Sequence, residues 1–358
     1  MLAEGSLSSN VVHLRCVRCG ANYARESVLF GCPSCASSNP SNVEVVYRSP
    51  LEPQARATWE ARSPGVWRFA EALPVPLAEA VTMGEGGTPL VPLVRLGETI
   101  GLPRLLAKHE FQNPTASFKD RLASVAISWA RAVGSPGIAV SSSGNAGAAA
   151  AAYAARAGLP CLVFTTREFA GTMQRFMAGY GAMVVAASTA ADRWTLNRAV
   201  AEEWGWFPVS NVAAPPVGSH PAGVEGCKTI AFEIAQDLGW EVPDAVVLPV
   251  AYGDALSGLY RGFKELLQAG LIARIPRLFA AETFPSLSGA LATDSPSPVA
   301  TSGGLSRAMS VATPAGTYQS LRAIRESEGG AVPVSDGETA RAHADLRRSG
   351  LLVEFSSA

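Results

Sequence analysis

From Ser117 to Ala281 the chain alternates between segments of helical period and short apolar runs rich in β-branched residues. This alternation constrains the fold more than any other feature. A strand returned to its neighbour through a helix pairs parallel to it, and the crossover is right-handed. The expected helices span 117–132, 146–157, 171–180, 191–204, 224–238 and 255–267, and the expected strands span 137–141, 160–165, 182–187, 207–210, 245–250 and 277–281. A Pro- and Gly-rich crossing over 212–223 divides the series. Residues 283–317, rich in Ser, Pro, Gly and Ala, are expected to form a mobile loop over a site. Ligands of parallel sheets sit beyond the strand carboxyl ends, so the turns that follow strands are where chemistry is sought.

With 358 residues, 48% of them hydrophobic and 16% charged, the chain can bury the cores of two domains and a small appendage. Its formal net charge of −1 and its lack of a basic stripe argue against nucleic acid as a partner. The most apolar stretch, 146–164, is broken by Arg156 and by Gly158-Leu159-Pro160, so no membrane span is expected. The opening MLAEGSLSSN lacks the basic start and apolar run of a secretory signal, and a cytoplasmic location is the expectation.

Four of the six cysteines form Cys16-x-x-Cys19 and Cys32-x-x-Cys35. Each pair can turn two thiolates toward one cation, and two pairs complete a tetrahedron, which points to Zn2+. Four thiolates leave no open coordination position, so a structural zinc is favoured over a catalytic one. The alternative is a ribbon that contacts nucleic acid or a protein partner. Residues 1–47 are therefore read as a zinc ribbon closing with the strand-like run 43–47, residues 48–82 as a connecting arm, and residues 83–358 as the core.

Within the core, Asn113-Pro-Thr-Ala-Ser-Phe-Lys119-Asp-Arg121 is the most informative string. Thr115 or Ser117 can cap the helix that follows, which sets Lys119 in its first turn. A cation is ill placed at that end of a helix dipole, and the position favours a neutral, nucleophilic amine. A second string, Ser142-Ser143-Gly144-Asn145-Ala146, joins a strand to an Ala-rich helix and presents backbone N–H groups suited to a carboxylate or phosphate. A third, Tyr252-Gly253-Asp254-Ala255-Leu256, has the same design, and Asp254 is expected to cap its helix with the carboxylate turned away from the anion.

Together with Gly84-Glu-Gly-Gly-Thr-Pro-Leu90 and the closing Gly350-Leu-Leu-Val-Glu354-Phe-Ser356-Ser357-Ala358, these strings resemble the threonine synthase branch of the fold type II pyridoxal-phosphate (PLP) enzymes. The resemblance spans about the whole chain. It implies an α/β fold of two domains with parallel-rich sheets, the small domain at about 120–211 being inserted in the large one, plus the N-terminal zinc ribbon. It also implies a soluble homodimer acting on a small amino acid by elimination or replacement, as in conversion of O-phosphohomoserine to threonine and phosphate. Lys119 would hold PLP as a Schiff base and then transfer protons, and Asn145 would contact the cofactor ring oxygen. Tyr252, Gly253, Asp254, Ala255 and Leu256 would take its phosphate. Ser356, with Ser357 as the alternative, would meet the pyridine nitrogen, and a hydroxyl there suits elimination and replacement better than transamination. Ser142, Ser143, Gly144 and Ala146 would hold the substrate carboxylate.

The chain departs from the family pattern at several places. Ala116 stands where the family usually has Gly, and Ala146 where threonine synthases commonly have Thr. Gly223 of Gly223-Val-Glu-Gly-Cys-Lys-Thr229 replaces the arginine that clamps a substrate phosphate, with Lys228, Arg261 and His220 as possible substitutes. Relatives also continue into a further helix after the position of Ala358. The loss of the arginine favours a second reading, a PLP-dependent β-elimination or β-replacement enzyme of the serine/threonine dehydratase or cysteate synthase kind. A reading from another class is a non-catalytic protein whose zinc ribbon binds a partner.

Overall fold

The structure is a computed structural model that describes residues 7–167 and 171–358. The first six residues, read above for a targeting signal, lie outside it. The chain opens with an antiparallel three-stranded sheet of order β2-β1-β3, built from β1 (Val11–Cys16), β2 (Asn22–Tyr23) and β3 (Val43–Tyr47). Inward residues Leu14, Val43 and Val45 are buried in alternation with outward ones, as a half-buried sheet requires. Residues 48–82 carry α1 (Ala55–Glu60) and two short 3-10 turns at 66–72 and 77–79. Trp59 and Phe69 of this segment are fully buried, and the Trp59 ring stacks on Phe232 at a centroid distance of 5.1 Å.

An antiparallel pair follows, β4 (Leu90–Pro92) with β5 (Leu106–Lys108), joined by α2 (Val94–Ile100). Then comes the alternating series: α3 (Lys119–Ala132), β6 (Ile138–Ser141), α4 (Asn145–Ala157), β7 (Cys161–Thr166), α5 (Thr172–Gly179), β8 (Met183–Ala187), α6 (Ala190–Trp204) and β9 (Phe207–Pro208). Its strands form a parallel sheet of order β8-β7-β6-β9. The series continues with α7 (Pro221–Asp237), β10 (Ala245–Pro249), α8 (Asp254–Gln268), β11 (Arg277–Glu282), α9 (Leu287–Ala292), α10 (Tyr318–Glu326), β12 (Gly330–Pro333) and α11 (Asp336–Arg348). Here β10, β11 and β12 pair in parallel in chain order. The α/β class with parallel sheets is thus as expected. No helix among the described residues is long and apolar enough to cross a membrane.

Two expectations need correction. The crossing ends at His220, not Gly223: Pro221 occupies the first helical position, and His220 Nδ1 accepts from the Ala222 N–H at 3.2 Å. Gly223 is therefore a buried helical residue. Residues 283–317 are not one loop, because α9 interrupts them. The Glu282 carboxylate receives the amides of Leu287 and Ser288 at 2.9 and 2.8 Å, and Ser286 Oγ donates to the Val299 carbonyl at 2.7 Å.

Candidate active site

Lys119 is the first residue of α3, and the turn before it is built to hold it there. Asn113 Oδ1 accepts from the Gly86 N–H at 2.8 Å, tying the turn to the glycine-rich segment. Ala116 has φ 62°, the left-handed region that costs an L-residue about 1–2 kcal/mol and explains why glycine suits this position. Ser117 Oγ receives the Lys119 N–H at 3.3 Å, while the Asp120 carboxylate folds back to take Thr115 N–H and Oγ–H at 2.8 and 2.7 Å. Burial pushes the Asp120 carboxyl up to about 6 despite the two Thr115 bonds. The Lys119 ammonium lies 4.4 Å from the centroid of the Phe118 ring, and Phe118 packs against both hydrophobic cores, so the amine sits at their seam.

The next residue but one anchors the helix. Arg121 is fully buried and meets Glu110 and Glu233 in four contacts of 2.7 Å, with Thr88 and Thr229 completing its fork. Burial alone raises a carboxyl, but Arg121 and then Lys108 outweigh it at Glu233 and hold that group down at about 2. The Lys-Asp-Arg run thus places an amine on a helix start whose neighbours on either side are immobilised.

Behind α3 lie α7 and α8, brought close by glycines. A Cβ on Gly226 would stand 2.1 Å from the Arg121 carbonyl oxygen, and one on Gly258 would stand 2.5 Å from Cys227 Cβ. Gly223 belongs to the same seam: its Cβ would lie 2.8 Å from Leu122 Cγ, inside a buried helix pair. A side chain at the position that the family's arginine would occupy could enter here only by displacing Leu122. The three proposed substitutes are also committed elsewhere. Lys228 Nζ pairs with Glu225 at 2.6 Å and Glu265 at 2.9 Å. Arg261 reaches Glu225 at 2.9 Å and Glu44 at 3.0 Å. His220 is buried against Phe207 and capping α7, and burial depresses its imidazole to about 3.

The β6–α4 turn carries Ser142, Ser143, Gly144, Asn145 and Ala146, all half-buried. Ser142 Oγ accepts the Gly144 N–H at 3.2 Å. Ser143 Oγ accepts Thr165 Oγ–H at 2.9 Å and Arg193 Nη1 at 3.1 Å. Asn145 is the first residue of α4 and donates through Nδ2 to Glu354 Oε2 at 3.1 Å, which brings the C-terminal segment to this turn. Ser356 Oγ accepts from the Ser310 N–H at 3.2 Å, so residue 356 is held by the 283–317 segment.

In the β10–α8 turn, Gly253 has φ 84° and its Cβ would stand 2.3 Å from Ser320 Cβ, a double requirement for glycine. Asp254, Ala255 and Leu256 follow in the first turn of α8, where helix amides have no partner within the helix. The Asp254 side chain does not cap α8. It accepts Ser219 Oγ–H at 2.6 Å and Ser219 N–H at 3.1 Å, so its charge is satisfied by the segment that precedes α7. Tyr252 gives its carbonyl to Thr317 Oγ–H at 2.6 Å. Burial pushes the Tyr252 phenol up to about 12, with the positive charge of Arg193 opposing. Arg193 and Ser219 were not singled out from the sequence. The first is an ordinary residue of an exposed-looking helix, and the second is one of many serines.

Cys16, Cys19, Cys32 and Cys35 gather with all four sulfurs within 4.8 Å of one another, and the pairs Cys16–Cys35 and Cys19–Cys32 are 3.8 and 3.7 Å apart. A tetrahedron with metal–sulfur bonds of about 2.3 Å has edges of about 3.8 Å, so the donor set fits a zinc-sized ion. The ribbon is fastened to the core: Asn42 Nδ2 donates to the Ser219 carbonyl at 2.9 Å, and Tyr47 Oη donates to Glu225 at 2.6 Å.

The family model described as pyridoxal-phosphate dependent enzyme matches residues 81–358. Threonine synthase of Methanosarcina acetivorans is 34% identical, the match covering 97% of this chain and 84% of that protein, and threonine synthase of Methanocaldococcus jannaschii is 31% identical over 96% and 84%. Among solved structures, maize serine racemase superposes with a TM-score of 0.65 at 20% identity over 75% of this chain and 78% of that one, a likeness of fold. With the lysine turn, the strand-end turns and these matches in agreement, the chain belongs to the threonine synthase-like branch of the fold type II pyridoxal-phosphate-dependent enzymes.

Proposed function

We propose that the protein is a threonine synthase, which converts O-phosphohomoserine and water to threonine and phosphate, with Lys119 as the residue that holds pyridoxal phosphate. The observation that carries this reading is an amine with no carboxylate partner among the described residues, at a helix start in the seam between two cores, on a chain similar along 97% of its length to a threonine synthase. When bound, the cofactor supplies an electron-withdrawing ring that acidifies the hydrogen on the substrate carbon bearing the amino group. Lys119 Nζ would take that proton and one from the next carbon as phosphate leaves the third, then return one to the third carbon and one to the carbon bearing the amino group, while water gives its hydroxyl to the middle carbon and its proton to the departing phosphate.

The surrounding residues bind and orient. Asn145 serves the cofactor ring oxygen, the Ser356 hydroxyl serves the ring nitrogen, and residues Tyr252, Gly253, Asp254, Ala255 and Leu256 take the cofactor phosphate. The open first-turn amides of α8 and the committed charge of Asp254 support this last role. Ser142, Ser143, Gly144 and Ala146 hold the substrate carboxylate. Cys16, Cys19, Cys32 and Cys35 hold a structural zinc, for which the sulfur spacing speaks. The division into a ribbon (1–47), an arm (48–82) and a core (83–358) with a small domain at about 120–211 completes the proposal, as do a homodimeric state and a cytoplasmic location.

The test is release of phosphate and threonine in equal amounts from O-phosphohomoserine by the cofactor-loaded protein. Lys119→Ala is expected to lower the rate by about 10²–10⁴-fold. A loaded wild-type protein that forms neither product refutes the assignment. The crowded position at Gly223 favours one second reading, β-elimination or β-replacement on another amino acid. Formation of a 2-oxo acid from serine or threonine, with no phosphate released from O-phosphohomoserine, selects it.

A further inference from the structure

Arg193 lies on the first turn of α6, against the β6–α4 turn. Its Nη1 donates to Ser143 Oγ at 3.1 Å, and its Nε is buried without an acceptor. No carboxylate forms an ion pair with it among the described residues, whereas Arg121, Lys228 and Arg261 each meet two or more. Arg193 is half-buried, and a guanidinium partly withdrawn from water without a counter-charge suits a place where an anion arrives from outside. Burial lowers the pKa of this group from its ordinary value, the sign of a charge left short of partners.

The position of Arg193 is fixed from both sides. Its carbonyl accepts Ser141 Oγ–H at 2.8 Å, which locks α6 to the end of β6. The adjacent Trp194 meets the Tyr252 ring edge-on at a centroid distance of 6.4 Å, which ties the same turn of α6 to the β10–α8 turn. Ser143 Oγ already accepts two hydrogen bonds, from Thr165 and Arg193, so its own hydrogen remains to be donated. A guanidinium with free N–H groups and a hydroxyl hydrogen therefore converge beside Tyr252, between the two anion-binding turns.

We propose that Arg193 is a specificity-determining residue whose guanidinium receives the distal oxyanion of the substrate, a phosphate ester or a group of like charge and shape. It stands in for the arginine that the chain lacks at residue 223. This deepens the reading given above and rests on it for the identity of the substrate. The planar fork of arginine suits two oxygens of one phosphate, which a lysine meets as a point charge only.

The experiment compares wild type, Arg193→Gln and Arg193→Lys as cofactor-loaded proteins, reading cofactor absorbance, KM and kcat for O-phosphohomoserine, and inhibition by inorganic phosphate. The expected result is retained cofactor absorbance in Arg193→Gln with KM raised about 10- to 100-fold, more than kcat falls, and inhibition by phosphate lost. Arg193→Lys should recover part of both. An Arg193→Gln protein with unchanged KM and unchanged phosphate inhibition overturns the proposal, as does one that loses the cofactor, since the residue would then serve the cofactor phosphate. Should wild type not turn over O-phosphohomoserine, the threonine synthase reading fails, and the proposal is decided by binding, followed through cofactor absorbance. Tighter binding of O-phosphoserine than of serine by wild type, erased in Arg193→Gln, supports it. Equal binding of the two by wild type overturns it.

Discussion

Replacing Ser219 by alanine tests how the β10–α8 turn is held. Asp254 is the first residue of α8, it is 5% exposed, and it receives two hydrogen bonds from Ser219. The alanine removes the shorter one, at 2.6 Å, and leaves the carboxylate with the Ser219 N–H. Room for a replacement water is scarce, because even a Cβ on Gly218 would lie 2.6 Å from Asp254 Oδ1. A buried hydrogen bond to a charged group contributes about 1.5–3 kcal/mol, so urea unfolding of the cofactor-free protein should show a loss of that size at unchanged m. Affinity for pyridoxal phosphate, measured by titration of its absorbance, should fall as well, since the amides proposed to take its phosphate belong to the same turn. Asn42 donates to the Ser219 carbonyl, so Asn42→Ala and Ser219→Ala should couple by at least about 0.5 kcal/mol in a double-mutant cycle. A Ser219→Ala protein that stays within about 0.5 kcal/mol of wild type and binds cofactor equally well would falsify the argument that this bond secures the turn.

The glycine seam gives a second prediction. Gly226→Ala should destabilise by at least about 2 kcal/mol, because the added carbon meets the Arg121 backbone at 2.1 Å, while Gly179→Ala, with nothing within 4 Å, should be neutral or slightly stabilising in thermal melts. Equal melting shifts for the two would contradict the packing argument. A third concerns pH. His220 is held neutral by burial, with its pKa depressed from 6.5 to about 3, so the unfolded chain takes up the proton first. Its contribution is full above about pH 6.5 and is lost by about 1.4 kcal/mol per unit as pH falls toward 3. His220→Asn keeps an N-cap acceptor and should flatten the stability profile in that window; an unaltered slope would rule this out.

The residues that were legible in the sequence are those whose reasons are local. Strands buried on both faces read as short apolar runs, as β6 and β7 do, and the apolar runs of β10 and β11 also stand within about two residues of expectation. Lys119 at its helix start is out of place by the dipole rule, but it drew attention only together with the two strand-end turns and the family motif around it. Gly223 was misread for the opposite reason: glycine ordinarily signals the end of a helix, and only the approach of Leu122 from another helix explains it inside one. The segment 48–82 showed no period because its buried Trp59 and Phe69 sit on one-turn elements too short to repeat. Arg193 was invisible because its distinguishing property, the lack of a carboxylate partner among the described residues, exists only in the folded chain.

These last two observations are linked. Close packing of α3 on α7 holds Lys119 firm, since Gly223 and Gly226 let the helix backbones approach and Arg121 binds Glu233 across the contact. The same closeness leaves little volume on that face for a long cation. On the proposal made above, the receptor for a second substrate anion comes instead from α6, where Arg193 has no carboxylate partner among the described residues and its turn is held by Ser141. On this argument, opening the seam would not restore the older arrangement. Gly223→Arg should cost about 1–3 kcal/mol from overlap with Leu122 and should not rescue KM in an Arg193→Gln background. Rescue there would mean that the two positions are interchangeable and that the packing of α3 on α7 does not decide where the anion binds.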